Sequence, residues 1–211
     1  RTTWRGRRWN AARAYLHPVK GRQNLTVQCN AMVNKIIFEG TRAVGVEVRR
    51  GRKTEIIRGN EIICCGGAIN SPQLLQLSGV GSAALLEKYN IPVVHDLPGV
   101  GEDLQDHLEV YVQYACTQPV SLYPALKWWR QPWIGFQWLF MRKGIGSSNH
   151  FEAGGFIRSN NQVEYPNLQY HFLPIAIRYD GSSPQGGHGY QVHVGPVKSD
   201  VRGHVRIVSA N

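Results

Sequence analysis

Glu61-Ile62-Ile63-Cys64-Cys65-Gly66-Gly67-Ala68-Ile69-Asn70-Ser71-Pro72-Gln73-Leu74-Leu75-Gln76-Leu77-Ser78-Gly79-Val80-Gly81 reads as a strand, a glycine pair and a helix in succession. The apolar run Glu61–Cys65 predicts a short strand of the kind buried in a parallel sheet. It runs into Gly66-Gly67. Asn70 or Ser71 as N-cap, with Pro72 in the first helical position, then predicts a helix over 72–78 carrying Leu74, Leu75 and Leu77. A strand that ends on glycines and feeds a helix is where open α/β sheets bind ligands. Without side chains a ligand can approach the backbone, and a helix N-terminus favours negative charge. A plain packing turn is the alternative reading of the same residues.

The next glycines are a decoy. Gly79-Val80-Gly81-Ser82-Ala83-Ala84 satisfies the spacing of a dinucleotide fingerprint, yet it follows a helix where the fingerprint must follow a strand. No acidic residue stands about twenty residues on, near Pro98–Gly101, to take a ribose. These residues read as a glycine-rich turn between two helices, the second over about Ser82–Tyr89 and stopped before Pro92.

Upstream, residues 10–17 predict a short helix ended by Pro18, and Asn24–Cys29 a buried strand. Met32–Phe38, Ala43–Arg50 and Thr54–Arg58 are rich in β-branched residues and are separated by turn signals at Glu39-Gly40 and Arg50-Gly51-Arg52. They predict an antiparallel meander. Downstream of Leu108 the character changes. Strand-like runs at Glu109–Cys116, Phe151–Arg158, Asn167–Phe172, Tyr190–Val197 and His204–Val208 alternate with long loops, and a helix is expected to carry Trp128, Trp129, Trp133 and Trp138. The reading places a boundary near His107, with an α/β part over 1–107 and a mainly antiparallel part over 108–211.

Composition narrows the classes. With 42% hydrophobic and 18% charged residues, the chain can build a packed core. Its net charge of +10 raises nucleic acid or an anionic surface as a partner. No nucleic-acid module is legible, so a solvated basic face is the preferred reading. Cys29, Cys64, Cys65 and Cys116 have no metal-binding spacing and read as buried free thiols in a reducing compartment. No metal is expected. No run approaches the length of a membrane span, and the start is not a signal peptide. The chain opens without Met and stops straight after a strand-like run, which reads as an internal section.

The segment Gly67–Gly81 resembles, at every constrained position, the second signature of the glucose–methanol–choline oxidoreductases. The order of other features is similar too: GRRWNAARAYL, NLTV, RAVGVEV and LPGVGEDLQDH. SNHFEAGGFIRS, NLQYHFLP and YQVHVGP resemble the choline-oxidising members. Asn10 and Asp103 depart from the family's usual Ser and Asn. The resemblance implies part of an FAD-binding Rossmann-like domain with a β-meander, followed by part of a substrate domain with a large antiparallel sheet. It implies FAD as cofactor, with Val33 at the adenine and Gly67 and Asn70 at the glycine turn and helix start.

It also implies choline as substrate, oxidised to betaine aldehyde, with a respiratory-chain quinone as acceptor, membrane association and, by likeness to animal members, a mitochondrial location. Glu109, two residues after Asp106-His107, matches the position facing the trimethylammonium group. Phe151 matches an aromatic of the same cage, and His171 a histidine near the alcohol oxygen. A quaternary ammonium has no N–H to donate, so charge and aromatic faces must hold it. Taken alone, Glu109 would read as an exposed strand glutamate.

His107 is expected to be structural, and His150, His188, His193 and His204 are unassigned. The ADP-binding glycine loop is expected upstream and the principal catalytic histidine downstream, so no catalytic residue is assigned here and the 211-residue chain alone is expected to be inactive. A family member acting on another primary alcohol is the first alternative; a basic nucleic-acid or anionic-surface binding module is a remote one.

Overall fold

Residues that alternate branched apolar with polar side chains can pair as strands only where neighbours supply a ladder, and that condition sorts the predicted strands. The computed structural model describes residues 3–178, 180, 182 and 187–210. The chain forms two units, one comprising Thr26–Asp106 with Asp200–Asn211, the other Arg1–Leu25 with His107–Ser199. A single cut at His107 therefore does not describe it, because each terminal segment packs with the unit that the cut would deny it.

The second unit opens with a hairpin of β1 (Thr3–Trp4) and β2 (Arg7–Arg8). A π-helical turn over Ala12–Leu16 follows, and it continues through Pro18 as a 3₁₀ turn, His17–Val19, instead of stopping there. The departure at Asn10 has a local role: its Oδ1 accepts the Arg13 N–H at 3.0 Å and caps that turn.

The first unit is built on the meander: β3 (Met32–Glu39), β4 (Arg42–Arg50) and β5 (Lys53–Arg58), antiparallel throughout. Ile36 and Val48 are its buried apolar residues. Helix α1 (Gly67–Leu77) begins five positions before Pro72, which lies inside it, so Asn70 and Ser71 are helical and neither caps the helix. Pro72 has no N–H to give the Ala68 carbonyl, which a helix of this length tolerates near its start. The Ile36 N–H donates to Ser78 Oγ at 2.8 Å and ties the end of α1 to β3. Strand β6 (Val80–Gly81) pairs in parallel with β7 (His95–Asp96), and between them lies α2 (Ala83–Lys88), close to the predicted second helix. Asp103, the other departure, sits at φ 60°, a conformation that Asp and Asn tolerate best.

Three expected strands do not form. Asn24–Cys29 and Glu61–Cys65 are unpaired and mostly exposed. Their apolar character is real, but among the described residues no strand lies beside them to accept their hydrogen bonds. With them fails the expectation of buried thiols: Cys29, Cys64 and Cys65 are exposed. His204–Val208 is held differently. Gln76, fully buried, donates from Nε2 to the carbonyls of Val100 (3.1 Å) and Val205 (3.0 Å) and accepts the Ile207 N–H at Oε1 (2.9 Å). A side chain thus takes the place of a neighbouring strand, and Ile207 packs with Leu86 and Ile91 in this unit's core.

The second unit's sheet has the order β8-β11-β10-β9, antiparallel, from β8 (Val110–Ala115), β9 (Ala153–Ile157), β10 (Leu168–Leu173) and β11 (Gly189–Pro196). The tryptophan-rich segment is a broken helix. A 3₁₀ turn at Tyr123–Leu126 precedes α3 (Gln131–Phe136), which runs on as a π-turn to Met141. Trp128 and Trp129 lie outside the helical residues and are exposed.

Candidate functional site

In an antiparallel sheet, directly paired residues put their side chains on the same face. Tyr111 pairs with His193, His193 with His171, and His171 with Gly154, so one row across the sheet gathers an aromatic and two histidines. Glu109 precedes β8 two residues before Tyr111 and shares its face. Its Oε1 lies 2.7 Å from His193 Nδ1. Gly195 makes this approach feasible, because a Cβ there would stand 2.6 Å from the Leu108 carbonyl oxygen. Tyr111 stacks on His193 with centroids 5.4 Å apart, and the Phe151 ring stands nearly perpendicular to those of His171 and His193, at 5.9 Å from each. Glu109, Phe151 and His171, named separately from the sequence, thus meet around one imidazole. That imidazole, His193, had no assigned role.

Beside this cluster is a cavity of about 680 Å³, walled by Tyr111, Phe151, His193, Gln191, Leu173 and Ile177 among others. Glu109 and His171 flank it, joined to its wall through His193 and Phe151. The lining is mostly apolar, with Gln131, Asn149, His150, Arg178, Gln191 and His193 as polar members, and Glu109 is bonded to the last of these. Such a site can hold a small organic cation by its charge and its methyl groups together.

Of the remaining histidines, His107 and His204 are exposed, His188 Nδ1 meets Ser121 Oγ at 2.9 Å, and His150 lines the cavity. The signal that could have singled out His193 is the alternation in Gln191-Val192-His193-Val194, where two polar residues share a face opposite two valines. Among the described residues, no group of three or more His, Cys, Asp or Glu could hold a metal ion.

The cofactor candidates lie in the first unit. Val33 on β3 and Asn70 on α1 line one cleft of about 1100 Å³ together with Ile62–Gly66. Gly67 adjoins it with φ +79°, and a Cβ built there meets nothing within 4 Å. Glycine is required at 67 by backbone conformation, and the space beside it is open. The cleft has Ile62–Gly66 along one wall and residues of strand β3 along another.

A model of the GMC oxidoreductase family matches residues 1–109. The chain belongs to that family. It is 60% identical over 207 residues to the oxygen-dependent choline dehydrogenase of Escherichia coli O17:K52:H18 (strain UMN026 / ExPEC), covering 97% of this chain and 37% of that protein. The chain thus spans just over a third of the length of the curated relatives it matches. Among solved structures, pyridoxine 4-oxidase from Mesorbium loti superposes with a TM-score of 0.77 at 26% identity over 98% of this chain and 37% of that one. A formate oxidase superposes with a TM-score of 0.88 at 20% identity over 99% and 41%, which is a likeness of fold.

Proposed function

We propose that the intact protein is an FAD-dependent dehydrogenase that oxidises choline to betaine aldehyde. The observation that carries this reading is the meeting of Glu109, Phe151 and His171 around His193, which brings together a carboxylate and an aromatic ring, the two groups that can hold a trimethylammonium. The family membership and the name of the 60% identical E. coli protein support it. Val33, Gly67 and Asn70 would hold FAD along the cleft of the first unit, and the bound flavin supplies the acceptor for the two electrons of the alcohol.

The residues of this chain place the substrate. Glu109 neutralises the cation, Phe151 covers its methyl groups, and His171 hydrogen-bonds the alcohol oxygen, which fixes the carbon that loses hydride. On this reading the unit of Thr26–Asp106 with Asp200–Asn211 contributes part of the FAD-binding domain, and the unit of Arg1–Leu25 with His107–Ser199 part of the substrate domain. The exposed Asn24–Cys29 and Glu61–Cys65 fit this reading, as strands whose neighbours come from the rest of the intact protein.

The resemblance pointed to a respiratory quinone as acceptor, whereas the E. coli relatives carry oxygen in their name; comparing flavin reoxidation by dioxygen and by a quinone decides between them. Those relatives are bacterial, so the mitochondrial placement rests on likeness to animal members alone. Membrane association belongs to the same expectation; among the described residues no helix is long and apolar enough to cross a membrane.

The direct experiment is an assay of the purified intact protein with FAD, an acceptor and choline. Betaine aldehyde should form with two electrons delivered per molecule. Turnover of uncharged primary alcohols with none on choline would assign the protein to another substrate.

A further inference from the structure

The backbone N–H of Ile177 decides where the proton sits on His193. That N–H donates to Gln191 Oε1 at 3.0 Å, and Gln113 Nε2 donates to the same oxygen at 2.9 Å while also giving a proton to the Ile177 carbonyl at 2.8 Å. With its oxygen fixed by a donor that cannot change role, Gln191 must turn its NH₂ towards His193, where Nε2 lies 2.6 Å away. Nε2 is therefore an acceptor, and the ring proton is on Nδ1, donated to Glu109. Gln191 and His193 are 3% and 6% exposed, so water does not readily replace either partner.

A second proton on the ring would set two N–H groups against each other across 2.6 Å. An imidazolium in that place would also spend the charge of Glu109 inside the protein. Resting on the reading of Glu109 as the cation-binding carboxylate, we infer that the chain Ile177–Gln191–His193 keeps His193 a neutral Nδ1 donor. It thereby orients Glu109 and sets no positive charge of its own against that carboxylate. Gln191 and His193 are positioning residues for cation specificity, acting through Glu109.

The groups around His193 that titrate or carry charge are Glu109 and Tyr111 from β8 and His171 from β10, with His150 and Arg178 along the cavity. All of them stay in place in a Gln191→Met variant, which retains much of the side chain's volume but removes the N–H facing Nε2. The probe is tetramethylammonium, titrated calorimetrically into the intact flavoprotein at about pH 6 and about pH 8.5, on either side of the imidazole range. In Gln191→Met the affinity should be about tenfold weaker at the lower pH than at the higher, because His193 is free to take a second proton. The parent protein should show a clearly smaller difference, and Gln191→Met/His193→Asn should return to the parent's pH response.

Two further single variants carry the test if Gln191→Met does not fold. His193→Asn keeps an N–H for Glu109 and cannot titrate, so it should bind within a few-fold of the parent at both pH values; His193→Phe, with no donor, should lose about five- to tenfold at both. Equal pH responses in the parent and Gln191→Met, or parent-like binding by His193→Phe, would overturn the inference. Glu109→Gln is titrated in parallel. If it binds tetramethylammonium as the parent does, the reading of Glu109 itself falls; if it loses affinity while Gln191→Met behaves as the parent, the relay alone is wrong.

Discussion

The carboxylate of Glu109 and the imidazole of His193 are bonded at 2.7 Å, although the first is 39% exposed and the second only 8%. One end of this pair is open to solvent, and the other is held on β11 between two neighbouring strands. An exposed glutamate at a strand start would otherwise sample several rotamers, and each immobilised long side chain costs about 0.5–1.5 kcal/mol at the moment of binding. Fixing Glu109 in advance moves that cost into folding.

The Phe151 ring stands nearly perpendicular to both histidine rings, and the proposed cage needs its face for the cation. Phe151→Ala should weaken kcat/KM for choline by about 1–2 kcal/mol, or roughly five- to thirtyfold, while Phe151→Tyr keeps most of the effect. Steady-state kinetics on both variants of the intact protein measure this, and an unchanged constant for Phe151→Ala would remove Phe151 from the cage.

Gln76→Leu conserves volume but strips the part-buried carbonyls of Val100 and Val205 and the buried N–H of Ile207 of their partner. Each polar group left unsatisfied in the interior costs about 1–3 kcal/mol, so the three together should cost about 3–9 kcal/mol, towards the lower end because the two carbonyl bonds are only part-buried. Hydrogen exchange on the intact protein should show the segment 203–208 opening first. Protection equal to the parent's would mean that the apolar contacts of Ile207 hold the segment without the glutamine.

The glycines of the decoy motif should respond unequally. Gly79 has φ +87°, and a Cβ on it would run into the Pro92 carbonyl oxygen, whereas a Cβ on Gly81 would meet Gln76 Cγ at 3.3 Å. Gly79→Ala therefore combines a left-handed strain of about 1–2 kcal/mol with a backbone collision and should lower the melting temperature markedly. Gly81→Ala should be mild and should leave the flavin content of the purified protein unchanged. Selective flavin loss from a well-folded Gly81→Ala variant would make the motif a cofactor loop after all.

The elements legible in the sequence were those whose pairing is local. Strands β3, β4 and β5 join through tight turns, so period-two alternation and turn residues were enough to predict them. Strand-like composition marked β8, β9, β10 and β11, but only their pairing order brings Glu109, His193, His171 and Phe151 together. Glu61–Cys65 shows the opposite case, since an apolar run reports a tendency to be buried and cannot name its neighbour. His204–Val208 looked like a strand because its residues suit one, while its hydrogen bonds go to the side chain of Gln76, which no periodicity announces. His193 was invisible for a related reason: its role depends on a proton position set by the backbone of Ile177.

The central claim is that Glu109 holds a cation, and Glu109→Gln tests it by removing the charge while keeping the shape. Choline and 3,3-dimethylbutanol, which has carbon where choline has nitrogen, are compared as substrates of the intact protein. Loss of a partly desolvated ion pair should cost about 2–4 kcal/mol, so kcat/KM for choline should fall roughly 30- to 700-fold. The constant for 3,3-dimethylbutanol should stay within a few-fold of the parent's. Equal losses for both substrates would contradict the account and leave Glu109 a structural residue.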